Sequence, residues 1–281
     1  MRLFKTVDEV RSFINSVRRE GKTVGLVPTM GYLHQGHLSL VHEAKRSCDV
    51  VIVSIFVNPT QFDPNEDYQT YPRDLQRDVA LVADAGVEAI FAPEAEEMYS
   101  QGFSSFVDVT GVSECLCGAS RPGHFRGVAT VVTKLFNIVL PDAAFFGQKD
   151  FQQVMVIKRM VADLNMSVQI IDVPIVREED GLALSSRNVY LSQEERKAAL
   201  VLHRSLHLAK EQVNEGERSA QQIKERIIKE IQAEPLANID YVEILSVPDL
   251  KPIEIIKGNV LLALAVRFGK TRLIDNSILE A

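Results

Sequence analysis

The sequence has little of what several protein classes require. Its 281 residues contain no tryptophan and only three cysteines, Cys48, Cys115 and Cys117, and this small, odd number excludes a disulfide-built scaffold. The most apolar stretch, 260–266, is far shorter than the ~20 residues that a membrane-spanning helix needs. Residues 1–5 lack the continuous apolar segment of a signal peptide. We therefore expect a cytoplasmic protein that does not associate with membranes.

Positive charge is also in the minority. The chain has 31 Lys and Arg against 38 Asp and Glu, which gives a formal net charge of −7. Such a chain repels a phosphate backbone unless its basic residues cluster, so we expect no nucleic-acid partner. An anionic ligand would have to be small and held locally. A hydrophobic content of 46% excludes a disordered chain, and the length allows one large domain or two of moderate size.

Apolar runs alternate with amphipathic segments through the first 175 residues. Thr6 and Glu9 have the spacing of a capping box that opens a helix ending near residue 20. The apolar run 49–57 is typical of a strand covered on both faces, as in a parallel sheet. The other predicted strands lie near 23–27, 87–91, 143–146 and 168–173, and the other helices begin near 37, 74, 128 and 150. This order predicts an α/β fold with a doubly wound, Rossmann-like parallel sheet.

The pattern changes after Pro174. Ser192 and Ser219 open two charged amphipathic helices, and strands are predicted over 239–247, 259–268 and 271–274. We predict a first domain over residues 1–175 and a smaller C-terminal α+β domain over residues 176–281.

The loop 28–37, which follows the first long strand, carries the strongest chemical signal. Gly31 and Gly36 let the backbone pass close to a ligand, and the helix that begins near His37 offers free N–H groups to phosphate. The loop lacks the lysine and hydroxyl of a Walker motif, and no G-x-G-x-x-G lies near it. His34 and His37 are instead spaced to donate hydrogen bonds to one phosphate together.

A second strand-end loop carries Lys149, a compact cation for phosphate, one turn before Gln153. Between them Asp150 either caps the following helix or holds a ribose hydroxyl.

Two further loops add polar groups. Ser185, Ser186 and Arg187 are able to clamp a polyphosphate, although serine-rich turns are common. Gln61 follows the apolar strand 49–57 and offers an uncharged polar group to a small substrate.

The H-x-x-H and Ser-Ser-Arg motifs together resemble the paired signatures of the HIGH-motif nucleotidyltransferase superfamily. Within it, the sequence resembles the pantothenate synthetase family over nearly its whole length. The matching blocks are 28–31, 34–37, 58–62, 71–73, 123–128, 145–150 and 184–188. The family often has Met where this chain has Leu184, and Glu where it has Gln148.

This resemblance implies an ATP-dependent ligase that joins pantoate to β-alanine through an enzyme-bound pantoyl adenylate, releasing pyrophosphate and AMP. It also implies Mg²⁺ and a homodimer. Because an adenylate has to be protected from water in a closed cleft, the C-terminal domain is the natural lid. The implied nucleotide-binding residues are Met30, Gly31, His34, Gly36, His37, Gly147, Gln148, Lys149, Asp150, Val176, Leu184, Ser185, Ser186 and Arg187. The implied catalytic residues are His34, His37, Lys149 and Arg187, with His37 as proton donor, and the implied pantoate-binding residues are Gln61, Gln153 and Met30. Protein ligands of Mg²⁺ are left unassigned.

Other functions stay open on the sequence alone. A different HIGH-type adenylyl or cytidylyl transferase is the nearest alternative, whereas the acidic charge and short length disfavour a class I aminoacyl-tRNA synthetase. A nucleotide-sensing dimer without turnover is a third alternative.

Several residue pairs resemble metal sites only superficially. His203 and His207 lack the glutamate of H-E-x-x-H, which favours a solvated helix face. Cys115 and Cys117 with His124 have no metal-ligand spacing. Asp74 and Asp78 share a helix face, where they either approach Mg²⁺ or are surface charges.

Overall fold

The computed structural model describes residues 1–64 and 66–281. Its strands are β1 (Arg2–Phe4), β2 (Val24–Thr29), β3 (Val50–Ile55), β4 (Ala89–Phe91), β5 (Ala143–Gly147), β6 (Gln169–Val173), β7 (Ala237–Ser246), β8 (Asn259–Phe268) and β9 (Thr271–Glu280). Its α-helices are α1 (Val7–Arg19), α2 (Gln35–Ser47), α3 (Leu75–Asp84), α4 (Ala95–Met98), α5 (Leu116–Ser120), α6 (His124–Val139), α7 (Phe151–Asp163), α8 (Gln193–Ala198), α9 (Val201–Asn214) and α10 (Ala220–Gln232). Short 3-10 helices cover Pro59–Gln61, Gln148–Asp150 and Ser186–Tyr190.

Within the described residues, six strands form a parallel sheet in the order β1-β4-β3-β2-β5-β6. The chain first adds strands on one side of β2 and then crosses to β5 on its other side. The strand order therefore reverses between β2 and β5, and a ligand crevice is expected beyond the carboxyl ends of these two strands.

Both faces of the sheet are buried. Leu26 and Ile52 belong to the core shared with α1, α6 and α7, whereas Val27 and Val53 belong to the core shared with α2 and α3. Successive side chains of one strand thus enter opposite cores, which explains why the apolar run of β3 is nearly continuous.

The C-terminal part of the chain forms a separate antiparallel sheet in the order β7-β8-β9, which packs against α9 and α10. The predicted fold class is confirmed, while the domain boundary at residue 176 stays a prediction. Leu261 and Ala263 of β8 lie in the core of the large domain, so the two domains share buried apolar surface. Among the described residues, no helix is both long and apolar enough to span a bilayer.

The sequence analysis did not predict β1, α4 or α5, and it ended β9 too early. The strand was expected over 271–274, but it continues to Glu280. The polar segment 275–277 ended the predicted strand because its residues resemble a turn. Asp275 and Asn276 are nevertheless buried, and hydrogen bonds to other segments satisfy them.

The first prediction concerns Gly127 in α6. A methyl group at this position would lie 2.5 Å from the carbonyl carbon of Thr60 and 2.7 Å from Cα of Gln61. Alanine usually stabilises a helix interior relative to glycine, but here this backbone contact leaves no space for it. We expect Gly127→Ala to lower the free energy of unfolding by about 2 to 3 kcal/mol in urea denaturation.

Gly147→Ala provides the control, because a methyl group there would meet nothing within 4 Å. It should change the free energy of unfolding by less than about 0.5 kcal/mol. Equal stability of the two variants would contradict the close packing of α6 on residues 59–61.

Candidate active site

One cavity of about 230 Å³ opens at the carboxyl ends of β2 and β5. The predicted site residues that line it are Met30, His34, Gly36, His37, Gln61, Gly147, Lys149, Asp150, Gln153, Val176, Leu184, Ser185, Ser186 and Arg187. The structure therefore gathers these residues from four separate loops at the place where the strand order reverses.

Two predicted residues, Gly31 and Gln148, do not line this cavity. Gly31 has a φ of +84°, and a side chain there would meet Oδ2 of Asp78 at 3.0 Å. The amide of Gln148 donates to Oδ2 of Asp172 at 3.2 Å. Gly31 thus contributes to the conformation of the loop and not to the cavity wall, and the Gln148 side chain points towards β6.

His34 and His37 are held as a linked pair at the start of α2. The N–H of Gly36 donates to Nδ1 of His34 at 3.1 Å, and the N–H of His34 donates to Nδ1 of His37 at 3.2 Å. The two ring centroids are 4.1 Å apart. Because Nδ1 is an acceptor in both rings, each neutral imidazole carries its proton on Nε2.

The surroundings keep both imidazoles neutral. Burial, assisted by the charges of Lys149 and Arg77, lowers the pKa of His34 to about 4. Burial, His34 and Lys149 together lower the pKa of His37 well below its usual value. Near neutral pH the two residues therefore offer N–H dipoles rather than positive charges.

Asp78 supports the loop that precedes this pair. Its carboxylate is buried and accepts the N–H groups of Tyr32 and Leu33, each at 2.7 Å. The surface-charge alternative is therefore wrong for Asp78, while Asp74 caps α3 by accepting the N–H of Arg77 at 3.0 Å. Burial raises the pKa of Asp78, although the two loop N–H groups oppose that shift.

The two predicted cations differ in their surroundings. Arg187 forms a bidentate ion pair with Asp67, with Nε and Nη2 at 2.9 and 2.8 Å from the carboxylate oxygens. No carboxylate among residues 1–64 and 66–281 forms an ion pair with Lys149. Lys149 thus presents an uncompensated positive charge to the cavity, whereas Arg187 is fixed in place by its partner.

Gln61 lies in a network that includes Asn58, Arg121 and His124, to which the sequence analysis gave no role. Nδ2 of the buried Asn58 donates to Oε1 of Gln61 at 3.0 Å, and Nε2 of Gln61 contacts Sδ of Met30 at 3.2 Å. Nδ1 of His124 lies 2.8 Å from the carbonyl oxygen of Gln61, and Arg121 contacts the same carbonyl. Asn58 and His124 belong to the matching blocks 58–62 and 123–128, and this membership is the sequence signal that could have identified them. Arg121 lies two residues before the second of these blocks.

The described residues contain no cluster of three or more His, Cys, Asp or Glu side chains suited to hold a metal ion. Cys117 contacts the hydroxyl of Tyr241 at 3.2 Å, and Cys115 is a free thiol. His207 is exposed and lies 3.1 Å from Glu211, as expected for a solvated helix face.

A parallel α/β fold that gathers two histidines at a helix start, a free lysine and a Ser-Ser-Arg turn at its switch point defines a nucleotide-binding α/β enzyme. A family model described as pantoate-beta-alanine ligase matches residues 2–278. The chain therefore belongs to the pantoate–β-alanine ligase family, as the sequence motifs predicted.

Individual relatives agree with this assignment. The pantothenate synthetases of Pelotomaculum thermopropionicum and Carboxydothermus hydrogenoformans are each 61% identical, over 99% and 100% of this chain and 99% of theirs. The crystal structure of pantothenate synthetase from Thermus thermophilus is 49% identical, covers 99% of both chains and has a TM-score of 0.94. The pantoate-beta-alanine ligase of Francisella tularensis, complexed with beta-gamma ATP and beta-alanine, is 37% identical, covers 99% of this chain and 97% of its own, and has a TM-score of 0.83. The chain is thus an enzyme, and the alternative of a nucleotide sensor is not retained.

The second prediction follows from the neutral state of His34. Its pKa is about 4 in the folded protein but near 6.5 in an unfolded chain, so the unfolded state binds more protons between these values. Stability is therefore lost as the pH falls from 6.5 to about 4. His34→Asn keeps an acceptor for the N–H of Gly36 but does not titrate there.

We expect the free energy of unfolding of His34→Asn to fall less steeply with acidification, by up to about 1.4 kcal/mol per pH unit. Urea denaturation at pH 7.0, 6.0, 5.0 and 4.5 measures this difference. Parallel curves for the two proteins would contradict the assigned neutral imidazole.

Proposed function

We propose that this enzyme joins pantoate to β-alanine in two steps, through an enzyme-bound pantoyl adenylate, with ATP as the energy source. The observation that carries the proposal is the cavity at the β2–β5 switch point. There the neutral pair His34 and His37, the free ammonium of Lys149 and the anchored Arg187 surround one space with two uncharged glutamines. Together these groups can hold a carboxylate and a triphosphate, which are both anions, close to each other.

In the first step the pantoate carboxylate attacks the α-phosphorus of ATP. A carboxylate–phosphorus bond forms, and the bond to the bridging oxygen breaks so that pyrophosphate leaves with the electron pair. Negative charge builds on the phosphate oxygens, where Lys149, Arg187 and the Nε2–H groups of the two histidines stabilise it. We assign the proton-donor role of the family motif to His37, which as a neutral imidazole donates a hydrogen bond from Nε2–H to the phosphate oxygens and keeps its proton.

In the second step the amine of β-alanine attacks the acyl carbonyl of the adenylate. The C–N bond forms while the bond between the acyl carbon and the bridging oxygen breaks, so that AMP leaves with the electron pair and the amine releases a proton to water. A smaller cavity of about 80 Å³ is bordered by Lys149, Gln153 and Arg187 as well, so a small amino acid has room beside the first cavity. The C-terminal domain is proposed to exclude water from the adenylate as a lid.

The remaining assignments divide the cavity between nucleotide and acid. Gln61, Gln153 and Met30 are proposed to bind pantoate, because neutral amides orient hydroxyl and carboxylate groups without adding charge. The nucleotide is assigned to His34, Gly36, His37, Gly147, Gln148, Lys149, Asp150, Val176, Leu184, Ser185, Ser186 and Arg187, with Met30 bordering both. Gly31 does not line the cavity, so its proposed part is limited to shaping the loop that carries these residues. For Gln148, whose side chain binds Asp172, only the backbone is available to the nucleotide.

Mg²⁺ is proposed to enter with the triphosphate. Mg²⁺ in such enzymes is bound largely by substrate phosphates and water, with one or two carboxylates at most. The described residues fit this mode, since they offer Asp150 at the cavity but no metal-binding cluster. A homodimer is proposed on the family resemblance alone, and a cytoplasmic location on that resemblance together with the low cysteine content.

The third prediction tests the two-step order. Labelled pyrophosphate should exchange into ATP when pantoate is present and β-alanine is absent, because the first step is then reversible on the enzyme. Lys149→Ala should lower this exchange by roughly 100- to 1,000-fold, the usual cost of removing one group that stabilises the transition state.

Lys158→Ala is a matched control for the lysine change, since Lys158 lies on the following helix, α7, and binds Asp172 rather than lining the cavity. Exchange that strictly requires β-alanine, in an enzyme that still makes product, would falsify the adenylate pathway. It would favour a concerted reaction.

The fourth prediction separates the two substrates. Gln61→Glu keeps the size of the side chain but places a second negative charge beside the pantoate carboxylate. We expect the KM for pantoate to rise about 10- to 100-fold, in line with the loss of a hydrogen bond to a charged group, and the KM for ATP to change less than about threefold. Steady-state kinetics measure both values.

Gln221→Glu, on the exposed side of α10, controls for the added charge. A larger effect on ATP than on pantoate would reverse the roles assigned to the two parts of the cavity.

A further inference from the structure

The loop that carries Lys149 is held by a side chain from the C-terminal sheet. Nδ2 of Asn276, in β9, donates to the carbonyl oxygens of Gln148 and Lys149, each at 2.9 Å. Asn276 is only 7% exposed, which shields these bonds from bulk solvent. One amide therefore fixes two successive carbonyls of the nucleotide loop, from 127 and 128 residues away in the sequence.

Asn276 is itself fixed by its neighbours. It pairs with Ala263 in the antiparallel ladder, and its N–H donates to Oδ1 of Asp275 at 2.8 Å. Asp275 is buried in a bidentate ion pair with Arg177 at 2.7 and 2.9 Å, and Arg177 also donates to the carbonyl of Gly181. The amide of Asn276 thus projects from a rigid support.

The support from Asn276 matters because the other side-chain bond of this loop among the described residues joins Gln148 to Asp172 and does not hold Lys149 itself. Its ammonium forms no ion pair within the described part of the chain, so its position follows from the backbone. Asp150, the residue before α7, makes no side-chain capping bond that would fix the turn. The two bonds from Asn276 supply the missing constraint.

We propose that Asn276 is a positioning residue for Lys149: through the carbonyls of Gln148 and Lys149, it sets where the catalytic ammonium stands. The proposal rests on the function assigned to Lys149 above. It also gives the C-terminal sheet a part in catalysis, because the position of β9 determines the geometry of the Lys149 loop in the other domain.

The test is a double-mutant cycle on pantoate-dependent pyrophosphate exchange, with Asn276→Ala, Lys149→Ala and the double variant. A displaced catalytic group costs up to about 100-fold, so we expect Asn276→Ala alone to lower the exchange rate about 10- to 100-fold. In the Lys149→Ala background the same change should cost less than about threefold, because the group that it positions is already absent. Asn259→Ala, at the exposed start of β8, should leave the rate unchanged.

The outcomes separate this proposal from the proposed function. Near wild-type exchange in Lys149→Ala would reject the role of Lys149 itself. A deficient Lys149→Ala with a normal Asn276→Ala, or a full multiplication of the two losses, would overturn only the role of Asn276. If Asn276→Ala does not fold by circular dichroism, Asn276→Asp, which keeps the shape but cannot donate when ionised, replaces it in the cycle. Failure of both variants to fold would assign Asn276 to stability alone and overturn the proposal.

Discussion

The site depends on the parallel pairing of β2 with β5. Gly25 pairs with Ala143 and Leu26 pairs with Ala144, although 118 residues separate the members of each pair. This register makes the two strands end side by side, so that the loop with His34 and the loop with Lys149 face one space. Gly25 is suited to the pairing because a methyl group there would lie 3.1 Å from Sγ of Cys48 and 3.3 Å from the ring of Phe145.

A second constraint is electrostatic, because a chain of net charge −7 has to bind anions. The structure meets it by neutralising nearby carboxylates rather than by accumulating cations. Glu66 is paired with Arg121, Asp67 is paired with Arg187, and Asp78 is occupied by two backbone N–H groups. The free charge of Lys149 and the N–H groups of the histidine pair are then left to attract phosphate.

The sequence allowed site residues to be predicted where a chemically suited side chain follows a predicted strand. His34, His37 and Lys149 stand at the helix starts that follow the apolar strands β2 and β5, and a parallel sheet brings these helix starts to one edge. The apolar run of β3 likewise predicted a strand buried on both faces. The fold class could be predicted for the same reason, since every strand of the large sheet is followed by a helical pattern or a turn signal.

The supporting residues could not be predicted, because their partners are distant in the sequence. Asp78 binds N–H groups 45 and 46 residues away, and Asp67 pairs with Arg187 across 120 residues. The sequence left Asp78 open between an approach to Mg²⁺ and a surface charge, and it gave no reason to single out Asp67. Asn276 was hidden for a related reason: its polar neighbourhood resembled the end of a strand, and only its tertiary partners show that the strand continues.

The same contacts restrict how the C-terminal domain could act as a lid. Leu261 and Ala263 of β8 are buried in the core of the large domain, and Asn276 of β9 holds the Lys149 loop. A rigid-body opening of the whole domain would have to expose those apolar side chains and break both hydrogen bonds, each of which contributes about 1 kcal/mol. The helices α9 and α10 pack against β7–β9 in a core of their own, away from these attachments. A closing motion that keeps Lys149 in place therefore has to leave the contact of β8 and β9 with the large domain intact. The rest of the C-terminal domain would rotate about that contact.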